Sequence, residues 1–441
     1  MKQKNLKFSV ALTIMLAAAT SIFAQTFSGS GTESDPYMIT SAEELALLSD
    51  LMYDTGYAAA YYELANDIDL SEYGEEYNYG RGWLPIGHPS QPFKGVFNGN
   101  GKVITGLYTN TTQDYIGLFG YVEGGTIENI GLENVNITGN WLVGGIAGSC
   151  SGNGVSATGT ISRCYVTGTV TGNWYNYPEV GGIAGQVVFG SVAHCYSTAT
   201  VTGAGTNVGG IAGQVNASSS VTLCYSTGVI SGTDWVGGIA SDVSNSSILS
   251  DCIALNPKIT TTGTHFGRIT SWVSDASLSG NLAFNGMLNP SGDTEWYNIA
   301  PDNLDGANIS GSAILADGTL GGKFTSADGW TTEDGKLPGL FGKTLDMPEH
   351  LTNGSGIKQL EITNYEWRIE NGQLIISLPN PSKGGAYEAK VDIFDVMGKK
   401  AGTFLISPSF GWSRGEVNIS HLPNGIYFLK VNNKTVKVIK N

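Results

Sequence analysis

The chain has 441 residues and is acidic, with 38 Asp and Glu against 23 Lys and Arg and a net charge of -15, and it is rich in glycine, with 62. That balance argues against nucleic acid or an anionic membrane surface as partner. The five cysteines are an odd number, so they cannot all pair.

Lys2, Lys4 and Lys7 precede an apolar run from Phe8 to Ala19, and Ser21-Ile22-Phe23-Ala24 offers a small residue for cleavage before Gln25. Residues 1–24 therefore read as a Sec signal peptide. No cysteine follows the cleavage point, which disfavours a lipoprotein. No later stretch approaches 18 apolar residues, so no membrane-spanning helix is expected.

Residues 26–92 lack the repeat that follows and read as an N-terminal helical cap. Ser41 with Glu44 makes a capping box, Leu45, Leu48 and Met52 share one helical face, and Gly56 can close the helix. The end of a coil stack exposes apolar cross-section and open strand edges, so a cap is needed there. Ala65 to Leu70 and Phe93 to Gly99 read as strands of the first irregular coils. Asp67 and Asp69, two apart, are candidate oxygen ligands for calcium, or turn residues bonded to the cap.

Val143-Gly144-Gly145-Ile146-Ala147-Gly148 then returns at Val180 to Gly185, at Val208 to Gly213, and as Val236 to Ser241. The second glycines, Gly145, Gly182, Gly210 and Gly238, are separated by 37, 28 and 28 residues. Such periodicity marks a stacked repeat. Cys164, Cys195, Cys224 and Cys252 recur in step, each ending a short strand rich in Val, Ile, Thr or Ser. Helices have no room between such strands, and the unit fits one coil of a right-handed parallel β-helix. A Gly-Gly pair there means either a positive φ or the close approach of a neighbouring coil. The cysteines read as an inward column of free thiols, because in-register Cβ atoms lie about 4.8 Å apart, too far for a disulfide. Ile130 and Asn281 extend that column.

The hexamer followed by an Ile-x-x-Cys strand resembles the GLUG-motif repeat of bacterial surface proteins, known also beside the protease region of IgA-cleaving metallopeptidases. Tyr115 to Gly120 resembles a divergent first copy and Phe266 to Ile269 a decayed last one. Gly329-Trp330 with Leu337-Pro338-Gly339-Leu340 resembles a closing coil. The resemblance covers roughly residues 37–345 and implies an adhesin-type β-helix, the domain as a whole reading as 25–357 with the cap included.

The last segment reverses in charge. From Leu360 onward there are 10 basic and 7 acidic residues, net +3, and the remainder carries 13 against 31, net -18. Pro348 to Lys358 reads as a linker, and 374–378, 390–396, 416–419 and 426–431 as strands of a small β-sandwich. Leu378-Pro379-Asn380-Pro381, Ile393 to Lys399, Leu422 to Tyr427 and Lys437 to Lys440 resemble the type IX secretion C-terminal sorting domain of Bacteroidetes, here 358–441. The resemblance implies an export address read by the type IX machinery, and a secreted or outer-membrane surface-attached protein.

Chemistry is sparse. His88, His194, His265, His350 and His421 never form His-Glu-x-x-His. Gly148-Ser149-Cys150-Ser151-Gly152 mimics a nucleophile elbow without the helix an elbow requires. No stacked acidic pair for glycoside hydrolysis is evident, and between residues 116 and 285 only Arg163, Lys258 and Arg268 supply basic side chains other than histidine. No catalytic residue, metal site or cofactor is expected. Tyr165, Tyr196 and Tyr225 follow the column cysteines and should point outward one per coil. With Trp141 and Trp235 they are the candidate ligand strip, the alternative being ordinary cross-coil stacking. The sequence thus reads as an all-β adhesin-like protein offering its β-helix to glycan or host and matrix protein ligands, the alternatives being a carbohydrate-active β-helix (lyase or hydrolase) or a purely structural surface protein.

Overall fold

The computed structural model describes residues 27–154 and 157–352, together with the strands between 366 and 440 and their pairing. The expected signal peptide, most of the linker, and the tail motifs at Leu378 to Pro381 and Leu422 to Asn424 lie outside the described residues. The chain divides into two units between Met347 and Pro348.

The first unit is a parallel β-solenoid of about nine turns. One column of directly paired residues runs from Tyr37 and Tyr62 through Phe97, Ile127, Ile161, Val192 and Val221 to Leu249 and Leu278. Most of it is fully buried, and each such side chain contributes roughly 1.5–3 kcal/mol of transfer free energy. In a repeating coil the chain makes a two-residue strand such as Val180–Gly181, a sharp bend, a five-residue strand such as Ala184–Val188, and then short strands of the large sheet.

The bend explains the hexamer. None of Gly145, Gly182, Gly210 and Gly238 has a positive φ. A Cβ on them would instead lie 2.5, 2.3, 2.1 and 2.1 Å from the carbonyl oxygens of Gly182, Gly210, Gly238 and Arg268 in the next coil. Close approach of stacked backbones is therefore what demands glycine. Arg268 occupies this position where the regular coils end, and its side chain closes the stack. It is 1% exposed, its Nη1 donates to Asn308 Oδ1 (2.8 Å) and the Phe284 carbonyl, its Nη2 donates to the Gly306 carbonyl, and its guanidinium lies 5.7 Å from the Trp296 ring centroid.

Cys164, Cys195, Cys224 and Cys252 form one buried column of free thiols. The Cys164 and Cys195 amides donate to the sulfur of the next coil (3.4 Å), and the Cys252 amide donates to Asn281 Oδ1 (3.0 Å), so the asparagine ends the column by supplying a stronger acceptor.

At the N-terminal end, helix Ala42–Leu51 stands where later coils place their two short strands. Leu45, Leu48 and Met52 are buried, and Ser41 Oγ accepts from the Glu44 amide. The reciprocal arm shifts by one residue, Glu44 Oε2 accepting from the Thr40 amide and hydroxyl. Gly56 does not close this helix. The chain leaves it at Met52, and Gly56 lies in a second short helix, Thr55–Ala58, capped by Asp54.

The C-terminal part of the unit also differs from expectation. Ala307–Ile309 is the last strand of the stack, and residues 320–345 do not form a closing coil. They turn back along the outside of the stack, with Lys323 paired to Asp251 at 2.5 Å and Phe341 against Gly101. The second unit holds two antiparallel sheets, Glu366–Glu370, Gln373–Ser377 and Arg414–Asn418 in one, and Lys400–Ile406, Ala389–Asp395, Gly425–Val431 and Lys434–Lys440 in the other.

Candidate functional site

Tyr165, Tyr196 and Tyr225 are paired directly across coils and stacked, with centroids 4.8 and 5.1 Å apart and rings within 1° and 8° of parallel. They are not an open strip. They are 3%, 4% and 0% exposed, because the returning segment lays Phe341, Trp330 and Phe324 over them. Tyr165 Oη donates to Glu133 Oε1 (2.7 Å) and Tyr225 Oη to the Pro338 carbonyl (2.5 Å). Three stacked rings form an apolar band that water would solvate poorly, and the chain supplies its own cover. Tyr225→Phe should therefore lower stability by about 1 kcal/mol, read by denaturant titration, through loss of one buried hydrogen bond.

Trp141 and Trp235 lie elsewhere, along two neighbouring rows of side chains that run up the stack and are called the groove below. One wall is the residue immediately before the bridge at Ile116 and before each two-residue strand, in order Tyr115, Leu142, Glu179, Asn207, Trp235 and His265. The amide following each of the first five donates to the carbonyl of the next member at 2.9–3.1 Å. Positive φ at Tyr115, Leu142, Asn207 and Trp235 makes the tight entry into the strand. The other wall is the register Tyr121, Ser149, Gln186, Gln214, Asp242 and Trp272. The last glycine of the hexamer lets the walls meet, since a Cβ on Gly148, Gly185 or Gly213 would strike the backbone of Tyr115, Leu142 or Glu179 within 2.8 Å. At the fourth hexamer the serine is accommodated, Ser241 Oγ donating to Asn207 Oδ1 (3.3 Å).

The groove covers five coil steps, about 24 Å at the usual strand spacing. Aromatic rings mark both ends. Tyr115 lies 5.6 Å from Tyr121 and 6.0 Å from Trp141, and Trp235 lies 5.3 Å from Trp272 and 5.2 Å from His265, whose Nδ1 is 2.9 Å from Asp234 Oδ2. Trp272 is 42% exposed. Amides and carboxyls fill the middle: Gln186 Nε2 donates to Gln214 Oε1 (3.0 Å), and Gln214 Nε2 to Asp242 Oδ2 (2.9 Å). Glu179 and Asp242 are 7% and 9% exposed. Burial first, and Asp242 second, push the Glu179 carboxyl up to about 8 against a hydrogen bond from the Trp141 side chain. Burial also raises Asp242, against hydrogen bonds from Gln214 and Ser244. At the Tyr115 end the groove meets a hollow of about 670 Å³ lined by Met52, Leu84, His88, Gln91, Gln113 and Tyr115.

Asp67 and Asp69 are each engaged by a backbone amide, as turn residues would be. Asp67 Oδ1 accepts from the Val103 amide and Asp69 Oδ1 from the Ser71 amide, both at 2.9 Å. Cys150 sits in strand Ala147–Ser151 with its thiol pushed up to about 12 by burial, an inert core residue. Among the described residues there is no group of three or more His, Cys, Asp or Glu arranged to hold a metal.

Residues 176–202 match the GLUG motif, and residues 370–441 match the secretion system C-terminal sorting domain. The solenoid thus carries a GLUG-motif match in one of its repeats, and the C-terminal unit carries the sorting-domain match. The chain is 40% identical over 123 residues, 27% of its length, to a candidate Gly-rich membrane protein of Evansella cellulosilytica. It is 32% identical over 163 residues, 36% of its length, to halomucin of Haloquadratum walsbyi. It spans only 13% and 2% of those two proteins. A crystal structure described as a candidate immunoglobulin A1 protease from Bacteroides ovatus superposes with a TM-score of 0.58 at 23% identity, covering 71% of this chain and 95% of that one. That likeness is one of fold. The sorting tail indicates type IX secretion to the cell surface or extracellular space, with the secretion machinery as a partner. No helix among the described residues is long and apolar enough to cross a membrane.

Proposed function

We propose that this GLUG-motif protein acts at the cell surface or outside the cell as a glycan-binding, adhesin-like protein, and that the glycan lies lengthwise in the groove. The observation that carries this reading is the order of side chains along it: aromatic rings at both ends and a line of amide groups, Gln186, Asn207 and Gln214, between. Rings at the ends offer flat apolar faces to sugar rings, and amides between them can give and accept hydrogen bonds with hydroxyls. Stacking on the same short pitch as the coils suits a polymer that repeats along its length.

The test is a glycan and host-matrix array probed with the secreted protein beside Trp141→Ala and Trp235→Ala. Saturable glycan binding weakened roughly two- to tenfold by each substitution is expected. Tyr196→Phe, on the covered ladder, should leave it unchanged. Binding to matrix proteins alone, or glycan binding indifferent to both tryptophans, would remove the groove from the account.

A second reading, carbohydrate hydrolysis, draws on the two raised carboxyls at mid-groove, the environment in which a protonated acid is held at neutral pH. Release of reducing ends from a bound polysaccharide, lost in Glu179→Gln with binding retained, would select it. Enclosure of the unpaired oxygens of both carboxyls weighs against it, since neither reaches the groove surface.

A further inference from the structure

We propose that the groove floor between Glu179 and Asp242 is a binding site for a hard divalent cation, with Ca²⁺ as its best fit. The inference is independent of the glycan reading, because it concerns what lies beneath the groove surface.

Three observations converge. Both side chains are more than nine-tenths buried, and each has one enclosed oxygen, Glu179 Oε2 and Asp242 Oδ1, with no hydrogen-bond partner. Unpaired carboxylate oxygens withdrawn from water are costly, so such a pair calls for a proton or a cation between them. No protein cation is at hand. Arg268 is committed to the end of the stack, and the ion pairs found among the described residues involve neither carboxyl.

The backbone fixes a third oxygen beside them. Asn207 stands one coil from Glu179 in the same wall, the Val180 amide donating to the Asn207 carbonyl (3.0 Å). Its side-chain Oδ1 accepts from Ser241, the neighbour of Asp242 in the chain, at 3.3 Å. Gln214 Nε2 occupies Asp242 Oδ2 and so leaves Oδ1 turned to the enclosed side. Two carboxylates, an amide oxygen and water make an all-oxygen donor set without sulfur or imidazole. Such a set selects Ca²⁺, which accepts irregular geometry and several waters, over Mg²⁺, which demands a near-ideal octahedron. With only two charged ligands the dissociation constant should lie at roughly 10⁻⁴–10⁻³ M.

The experiment uses metal-stripped mature protein titrated with CaCl₂ and followed by calorimetry and thermal melting, with MgCl₂ in parallel. The expected result is one saturable event and a Tm rise of roughly 2 °C or more at 10 mM Ca²⁺, larger than with Mg²⁺. Glu179→Gln and Asp242→Asn should each abolish the event while circular dichroism stays that of the parent. Tb³⁺ provides a second readout that needs no carboxyl variant: emission excited through indole and displaced by Ca²⁺ should fall sharply in Trp141→Phe. Absence of a calcium effect on the parent protein overturns the site and leaves a proton as the shared ion. A calcium effect that persists in both carboxyl variants also overturns it, by placing the ion elsewhere.

Discussion

Gly210→Ala is expected to destabilise the solenoid by more than about 3 kcal/mol, and the protein should melt well below the parent or fail to accumulate folded. The added methyl would sit 2.1 Å from the Gly238 carbonyl oxygen and 2.2 Å from Ser226 Oγ. The hydroxyl could rotate away, but the carbonyl belongs to the bend of the next coil, whose strands on either side are paired with Val208–Gly209 and Ala212–Asn216. Relief would require the coils to separate locally, which exceeds the usual 1–3 kcal/mol cost of an extra methyl in a packed core. Gly56→Ala is the contrasting case. Gly56 lies in helix Thr55–Ala58 with ordinary φ, and its nearest neighbour is Asp54 Oδ1 at 3.2 Å. There the change should be neutral or stabilising by up to about 1 kcal/mol. Equal losses at both positions in denaturant titrations would show that glycine matters here through chain flexibility and not through coil contact.

The same bend marks what was legible in the sequence and what was not. Period and composition were enough for a parallel solenoid, since only glycine fits where stacked carbonyls press. Choosing between a positive φ and a close approach needed the neighbouring coil. The tyrosine column was readable as a column, because its spacing follows the cysteines. Its cover was not, since Trp330 and Phe341 come from more than a hundred residues further on and no local pattern ties them to Tyr165 or Tyr225. The groove had a signal that went unread. Its walls are the residues bracketing each hexamer, Glu179 and Gln186 around one, Asn207 and Gln214 around the next, Trp235 and Asp242 around the fourth. Strand alternation alone sends both outward, but only the sharpness of the Gly-Gly bend brings them face to face. Trp141 and Trp235 were found as aromatic residues near the repeat, whereas Glu179 and Asp242 become a pair only through stacking of different coils. In the tail, 400–406 and 434–440 form strands that the motif reading passed over, since their alternation is masked by Lys and Gly.

Stability should fall as pH rises between about 4.5 and 8, and Glu179→Gln should remove much of that slope. The Glu179 carboxyl moves from an ordinary 4.5 up to about 8, chiefly through burial and then through Asp242. A carboxyl whose folded value is raised contributes its full stability below the unfolded value, where both states are protonated. It loses that contribution as pH climbs through the folded value, because the unfolded chain releases the proton first. The shift corresponds to a loss on the order of a few kcal/mol across that window, Asp242 adding in the same direction. Carboxyls that are paired in the folded state, such as Asp346 with Lys336 and Asp234 with His265, have lowered values and act oppositely, losing stability as pH falls below 4. The two groups are separated by pH, so urea titrations at pH 5 and pH 8 isolate the buried pair. The parent should lose stability between them while Glu179→Gln, already neutral, changes little. Saturating Ca²⁺ should cancel the loss at pH 8 and have little effect at pH 5, because the cation takes the place of the proton that Glu179 gives up. A parent protein as stable at pH 8 as at pH 5 without calcium would mean that Glu179 ionises freely, and that its enclosed oxygen is solvated.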